Sequence, residues 1–178
     1  MGAFPAFVSD DVLGFFSALL TRHCVYLRHN RLERIYESDP TINANLVEIL
    51  KKEADDGIAR KVSSCTRAMV WLTRSMDFTV ALLDKLVKDP GQSMEQAVEE
   101  SYNITLRPWH GWISSAAYKV ALKLVPERKN FINLLMTEDK DHDMLTQEIE
   151  SLIALLLPLL DQIHSILIRF RCDRLKSA

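Results

Sequence analysis

The chain has 178 residues, 48% of them hydrophobic, and a formal net charge of -2. That length suits one domain over residues 1–178 with a single sizeable core, and the charge balance excludes a disordered chain or a protein that coats nucleic acid. Three widely spaced cysteines, Cys24, Cys65 and Cys172, give neither a disulfide framework nor a paired zinc motif, which points to a reducing, cytoplasmic setting.

The opening MGAFPAFVSDD lacks a basic flank and turns acidic before any long apolar region, so no secretory signal is expected there. A first helix is predicted over residues 10 to 36, with SDD as its cap and ESDP as its terminator. A second follows Pro40, over residues 41 to 56. The third, over 60 to 88, has the clearest pattern: Val62, Cys65, Met69, Leu72, Met76, Val80, Leu83 and Val87 recur at helical spacing and form a core stripe. DPGQS ends it.

A fourth helix runs from Ser93 toward Leu106, where Pro108 discourages continuation. The fifth begins around Trp109, carries WISSAAYKVALKLV and stops before Pro126. RKNFINLLM makes a short sixth helix, and after the charged loop TEDKDHD a long last helix extends from 141 to 170. Its apolar run LIALLLPLL is roughly half of what a bilayer-spanning helix needs, and reads as a buried helix kinked at Pro158. With five glycines and almost no alternating β-branched runs, the chain is expected to be all-α, with about seven helices.

The third helix has a second face. Arg67, Trp71, Arg74 and Phe78 fall at spacings of four, three and four and share one side. An indole between two guanidinium groups offers a flat plate flanked by fixed donors for hydroxyl, carbonyl or phosphate oxygens. The other reading is a core tryptophan with the arginines snorkelling past it. A similar choice arises at TLRPWHGWISS. His110 there either satisfies a helix end or serves as one polar donor in a pocket walled by Trp109 and Trp112.

Catalytic patterns are missing: the sequence has no Gly-x-Ser-x-Gly elbow, Cys-x-x-Cys, HExxH or glycine-rich phosphate loop. Cys65 lies on a core stripe, where an inert thiol is expected, and His142 and His164 lack metal-ligand spacing. No metal, cofactor or enzymatic activity is expected. A histidine near carboxylates can do acid-base work, but no nucleophile stands beside one.

SSCTRAMVWLTRSMDF and YNITLRPWHGW resemble the glycolipid transfer protein family, most closely its plant members. The similarity continues through ALKLVPERKNFINLL and back to RLERIYESDP, covering residues 30 to 136 well and the last helix more loosely. The resemblance implies a two-layer, all-helical sandwich whose members extract one sphingolipid from a membrane, bury its chains between the layers and release it elsewhere. It implies a monomer touching membranes transiently, peripheral to them in the cytoplasm. By resemblance, Trp71 is the plate on which a sugar ring stacks and His110 the donor to the ceramide amide. Trp109 and Trp112 would then wall the pocket or touch the membrane, with Arg74 beside them.

The family's headgroup helix also carries an aspartate, an asparagine four residues later and a basic residue three further on. Counting back from RLERIY puts Arg31 at the basic position but Arg28 and Cys24 at the others. A second alignment makes Asp11 the aspartate, with Phe15 in place of asparagine; about fifteen helical residues, roughly 22 Å, then separate the two halves. A helix that family members carry before this point is expected to be missing, leaving apolar surface on its neighbours.

Trp71 favours a glycosylceramide. Arg67, at a position where the branch carrying ceramide 1-phosphate places arginine, could with Arg74 and Arg31 hold a phosphate instead. A lipid sensor or interaction protein that no longer transfers lipid is the remaining alternative, suggested by Arg28 and Cys24.

Overall fold

A computed structural model describes Glu37 and residues 45–136 and 141–176. The first predicted helix, and with it Asp11, Phe15, Cys24, Arg28 and Arg31, lies outside the described residues. Among those described are six α-helices and one 3-10 turn, with no strand.

Helix α1, Leu46–Asp55, starts where the Asn45 side chain accepts from the Val47 amide at 3.0 Å. It ends at Asp56 and Gly57, whose φ of 68° is one that side-chain-bearing residues rarely adopt. Helix α2, Cys65–Lys88, is capped twice. Ser64 Oγ accepts from the Arg67 amide, and the Glu53 carboxylate, reaching over from α1, accepts from the amides of Cys65 and Thr66 at 2.8 and 2.7 Å. A carboxylate at that end also opposes the positive pole of the helix dipole.

Helix α2 is the spine. It packs chiefly against the last helix and against α3, Met94–Thr105, and fourteen of its 24 residues are buried. The expected stripe holds for Cys65, Met69, Val80 and Leu83. Val62 does not belong to it: this residue precedes the helix and is 74% exposed. Burial extends to Trp71, Arg74 and Phe78, so the second face of this helix is enclosed over these three residues.

Helix α3 opens with a capping box between Ser93 and Gln96. It is followed by the 3-10 turn Arg107–Trp109, then α4, Trp112–Leu122, and α5, Arg128–Leu135. The fifth predicted helix therefore starts three residues late. Pro108 sits in the 3-10 turn, His110 is extended, and Gly111 caps α4. Arg128 ties α5 back to α2 by donating to the carbonyls of Gln92 and Leu86, placing a cation near the negative pole of α2.

Helix α6, His142–Arg169, is capped by Asp141 and runs unbroken through Pro158. The carbonyl that Pro158 leaves without its helical partner belongs to Ala154, which is exposed and can bind water instead. The reading of LIALLLPLL as buried is corrected here. Leu160 faces the core with Leu145, Ile149 and Leu167, whereas Leu152, Leu155, Leu157 and Leu159 are exposed. By length and composition alone α6 is apolar enough to cross a membrane.

Two hydrophobic clusters flank the middle of α2. One joins Phe78, Leu82 and Leu86 to α3, Tyr118, Phe131 and Ile149; the other joins Met69 and Val70 to Leu50, Leu167, Cys172 and Leu175. Burying a side chain such as Phe131 stabilises the fold by about 1.5–3 kcal/mol. Trp71 lies on the segment of α2 between these clusters.

Candidate functional site

The fold brings Trp71 and His110, 39 residues apart, to a ring-centroid distance of 5.6 Å with planes inclined by 31°. Each comes from a different kind of backbone: Trp71 from the middle of α2, His110 from the extended residue between the 3-10 turn and α4. The turn is closed by the His110 amide, which donates to the carbonyls of Leu106 and Arg107. His110 is thereby aimed inward rather than carried along a helix surface.

Beneath His110 lies Tyr102, on the last turn of α3 and 3% exposed. Its hydroxyl is 3.1 Å from Nδ1 of His110. The Tyr102 ring in turn stacks on Tyr118 of α4, with centroids 3.4 Å apart and planes 4° from parallel. Neither tyrosine stands out in the sequence, because the turn at Pro108 breaks the periodicity that would connect Tyr102 to His110.

Arg74 joins Trp71 to Trp109. Its guanidinium carbon is 4.9 Å from the centre of the Trp71 ring and 4.0 Å from that of Trp109. The guanidinium also donates to the carbonyls of Leu175 and Asp173, so the C-terminal segment is fastened against α2. Burial pushes the Arg74 pKa down to about 10, opposed by the carboxylates of Asp77 and Asp173, and the group stays cationic at neutral pH. Arg67 makes a similar contact, donating to the Lys176 carbonyl at 3.0 Å.

Beside this latch is a cleft of about 230 Å³, bounded by Val70, Asp77, Trp109, His164 and Ile168 among others. Nε2 of His164 is 3.0 Å from Asp77 Oδ1 across it. Among the described residues no group of three or more potential metal ligands is assembled.

The eight residues singled out in the sequence thus fall into four sets. Trp71, His110, Arg74 and Trp109 form one continuous cluster. Arg67, in the first turn of α2, is bonded to the C-terminal segment through the Lys176 carbonyl. Trp112 is separate: it starts α4 and is 83% exposed, next to exposed Ile113. Asp11 and Arg31 are outside the described residues.

The family model for glycolipid transfer protein (GLTP) matches residues 10–137. Over 167 residues the chain is 58% identical to glycolipid transfer protein 3 of Arabidopsis thaliana, a match covering 94% of this chain and 71% of that one. Mouse ceramide-1-phosphate transfer protein, in its apo form, superimposes with a TM-score of 0.80 at 19% identity, covering 93% of this chain and 86% of the other. A structure of FAPP2, described as selecting simple glycosphingolipids using the GLTP-fold, does so with a TM-score of 0.77 at 18% identity, covering 94% and 84%. These two structures establish a shared all-α fold.

Proposed function

Because this chain belongs to the glycolipid transfer protein family, we propose that it is a sphingolipid carrier whose headgroup site is the Trp71–His110 cluster and whose preferred cargo is a glycosylceramide. The observation that carries the reading is the pairing of an indole and an imidazole 5.6 Å apart, each held by its own support, Arg74 for Trp71 and Tyr102 for His110. An indole presents a face to a sugar ring, and an imidazole presents one directional donor to an amide carbonyl.

The energetics explain why a carrier is needed. Lipid tails cost about 0.8 kcal/mol per methylene to expose to water, so they cannot cross the aqueous phase unaided. Trp71 is 5% exposed, so a sugar reaches its face only as neighbouring groups move aside. Uptake is therefore coupled to a local opening.

A phosphate headgroup is the weaker reading. Arg74 is buried and bonded to two carbonyls, and Arg67 is bonded to a third, so a phosphate would have to displace the C-terminal segment from both.

Trp112 is assigned to the membrane rather than to the pocket. On α4 it begins an exposed apolar strip, Ile113, Ala117 and Val120, continued by Leu124 just past the helix end and flanked by exposed Lys119 and Lys123. Such a helix lies in a bilayer interface with its indole at headgroup depth. The protein would then work as a cytoplasmic monomer that meets membranes transiently, with no chemical step and no cofactor.

Mass spectrometry of lipid co-purifying with the chain after incubation with mixed vesicles tests this directly. The expected result is one glycosylceramide per chain; ceramide 1-phosphate in its place, or no sphingolipid, rejects the proposed cargo.

A further inference from the structure

The His110 ring has two nitrogens, and an amide carbonyl can be bound only by one that carries a proton. Which one does so is set by the partner of the other. Tyr102 supplies that partner at Nδ1, 3.1 Å away. We infer that Tyr102 is a positioning residue: its phenol donates to Nδ1 of His110, fixing the tautomer with the proton on Nε2 and directing that N–H as the donor to the bound lipid. The inference rests on the proposed role of His110 at the headgroup.

The direction of the bond follows from chemistry and burial. A neutral imidazole nitrogen is a better acceptor than a phenol oxygen, and a phenol O–H is a good donor. Tyr102 is 3% exposed, and His110 is the partner its hydroxyl has among the described residues. Were Nδ1 protonated, the phenol proton would be left inside the protein without an acceptor, which is unfavourable. Donation to Nδ1 satisfies both groups.

Orientation comes from the stack. Tyr118, parallel to Tyr102 at 3.4 Å, blocks rotation of that ring away from His110. The Tyr118 hydroxyl itself is buried with no hydrogen-bond partner among the described residues, so the ring is what this position contributes to the arrangement. Backbone bonds from the His110 amide to Leu106 and Arg107 fix the other end of the imidazole's lever.

The test uses the full chain labelled with 15N-histidine, with the His110 signals assigned by loss in His110→Gln. Long-range 1H–15N correlation should show His110 in the Nε2–H tautomer in the wild type, and a mixed or inverted tautomer in Tyr102→Phe, which keeps the stacked ring. Glucosylceramide transfer by Tyr102→Phe should fall about tenfold, the equivalent of one hydrogen bond, with circular dichroism and vesicle association unchanged. An Nδ1–H tautomer in the wild type, or an unchanged tautomer in Tyr102→Phe, overturns the inference. Failure of the headgroup reading looks different: His110→Gln would then transfer lipid normally whatever the tautomer spectra show.

Discussion

The guanidinium of Arg74 lies 4.0 Å over the Trp109 ring, so a helix in the centre of the fold grips the turn that delivers His110. The same side chain holds the carbonyls of Asp173 and Leu175. A charged group in this position is costly to bury and tolerated only because every side of it is matched, by ring faces, carbonyl oxygens and nearby carboxylates.

Removing that match should be visible as instability. Arg74→Ala strands two carbonyls and opens a gap beside two indoles, and should destabilise the protein by about 2–4 kcal/mol, read as a lower urea midpoint. Arg74→Lys should recover only part, because an ammonium lacks the planar fork that reaches two carbonyls while lying on a ring. Full recovery by lysine would show that charge alone matters.

The latch also guards a thiol. Cys172, one residue before Asp173 in the C-terminal segment, is buried, and burial pushes its pKa up, so it should alkylate slowly in the folded protein. In Arg74→Ala the labelling of Cys172 should rise while Cys65, at the start of α2, stays protected. Mass-spectrometric mapping of alkylated peptides separates this from global unfolding, which would expose both.

Tyr118 should respond to alkaline pH. Its phenol is pushed up by burial, with Glu99 adding to the effect, and the unfolded chain keeps the ordinary value near 10. Above that pH the unfolded state has lost a proton that the folded state retains, so stability falls as pH rises. Tyr118→Phe removes both this sensitivity and a buried hydroxyl that has no partner among the described residues. It should be about 1 kcal/mol more stable near neutrality and lose less stability above pH ~10 in urea titrations.

Trp112 makes the opposite kind of prediction. Exposed by 83%, it should be replaceable by alanine with a stability change within about 0.5 kcal/mol. Vesicle association, measured by flotation, should nevertheless drop several-fold. An unchanged association would remove Trp112 from the membrane surface.

Local order was largely legible in the sequence because it is written locally. Ser93 with Gln96, and the apolar spacing of α2, locate helices without knowledge of their neighbours. The convergence of Trp71 and His110 was legible only through family resemblance. What escaped depends on partners distant in the chain. Arg74 reads as a surface cation until Asp173 and Leu175, about 100 residues later, enclose it. The contact of Tyr102 with His110 is made only because the turn at Pro108 swings His110 back onto it. The leucines of α6 read as buried because composition records how apolar a helix is, not which side is covered.

The most direct measurement is the rate at which fluorescent glucosylceramide moves between vesicles with the wild-type chain, Trp71→Ala and His110→Ala, each checked for helical content. The account predicts transfer by the wild type and its loss in both variants with the helices intact. Transfer at the wild-type rate by both variants, or none by a folded wild-type chain, would contradict it.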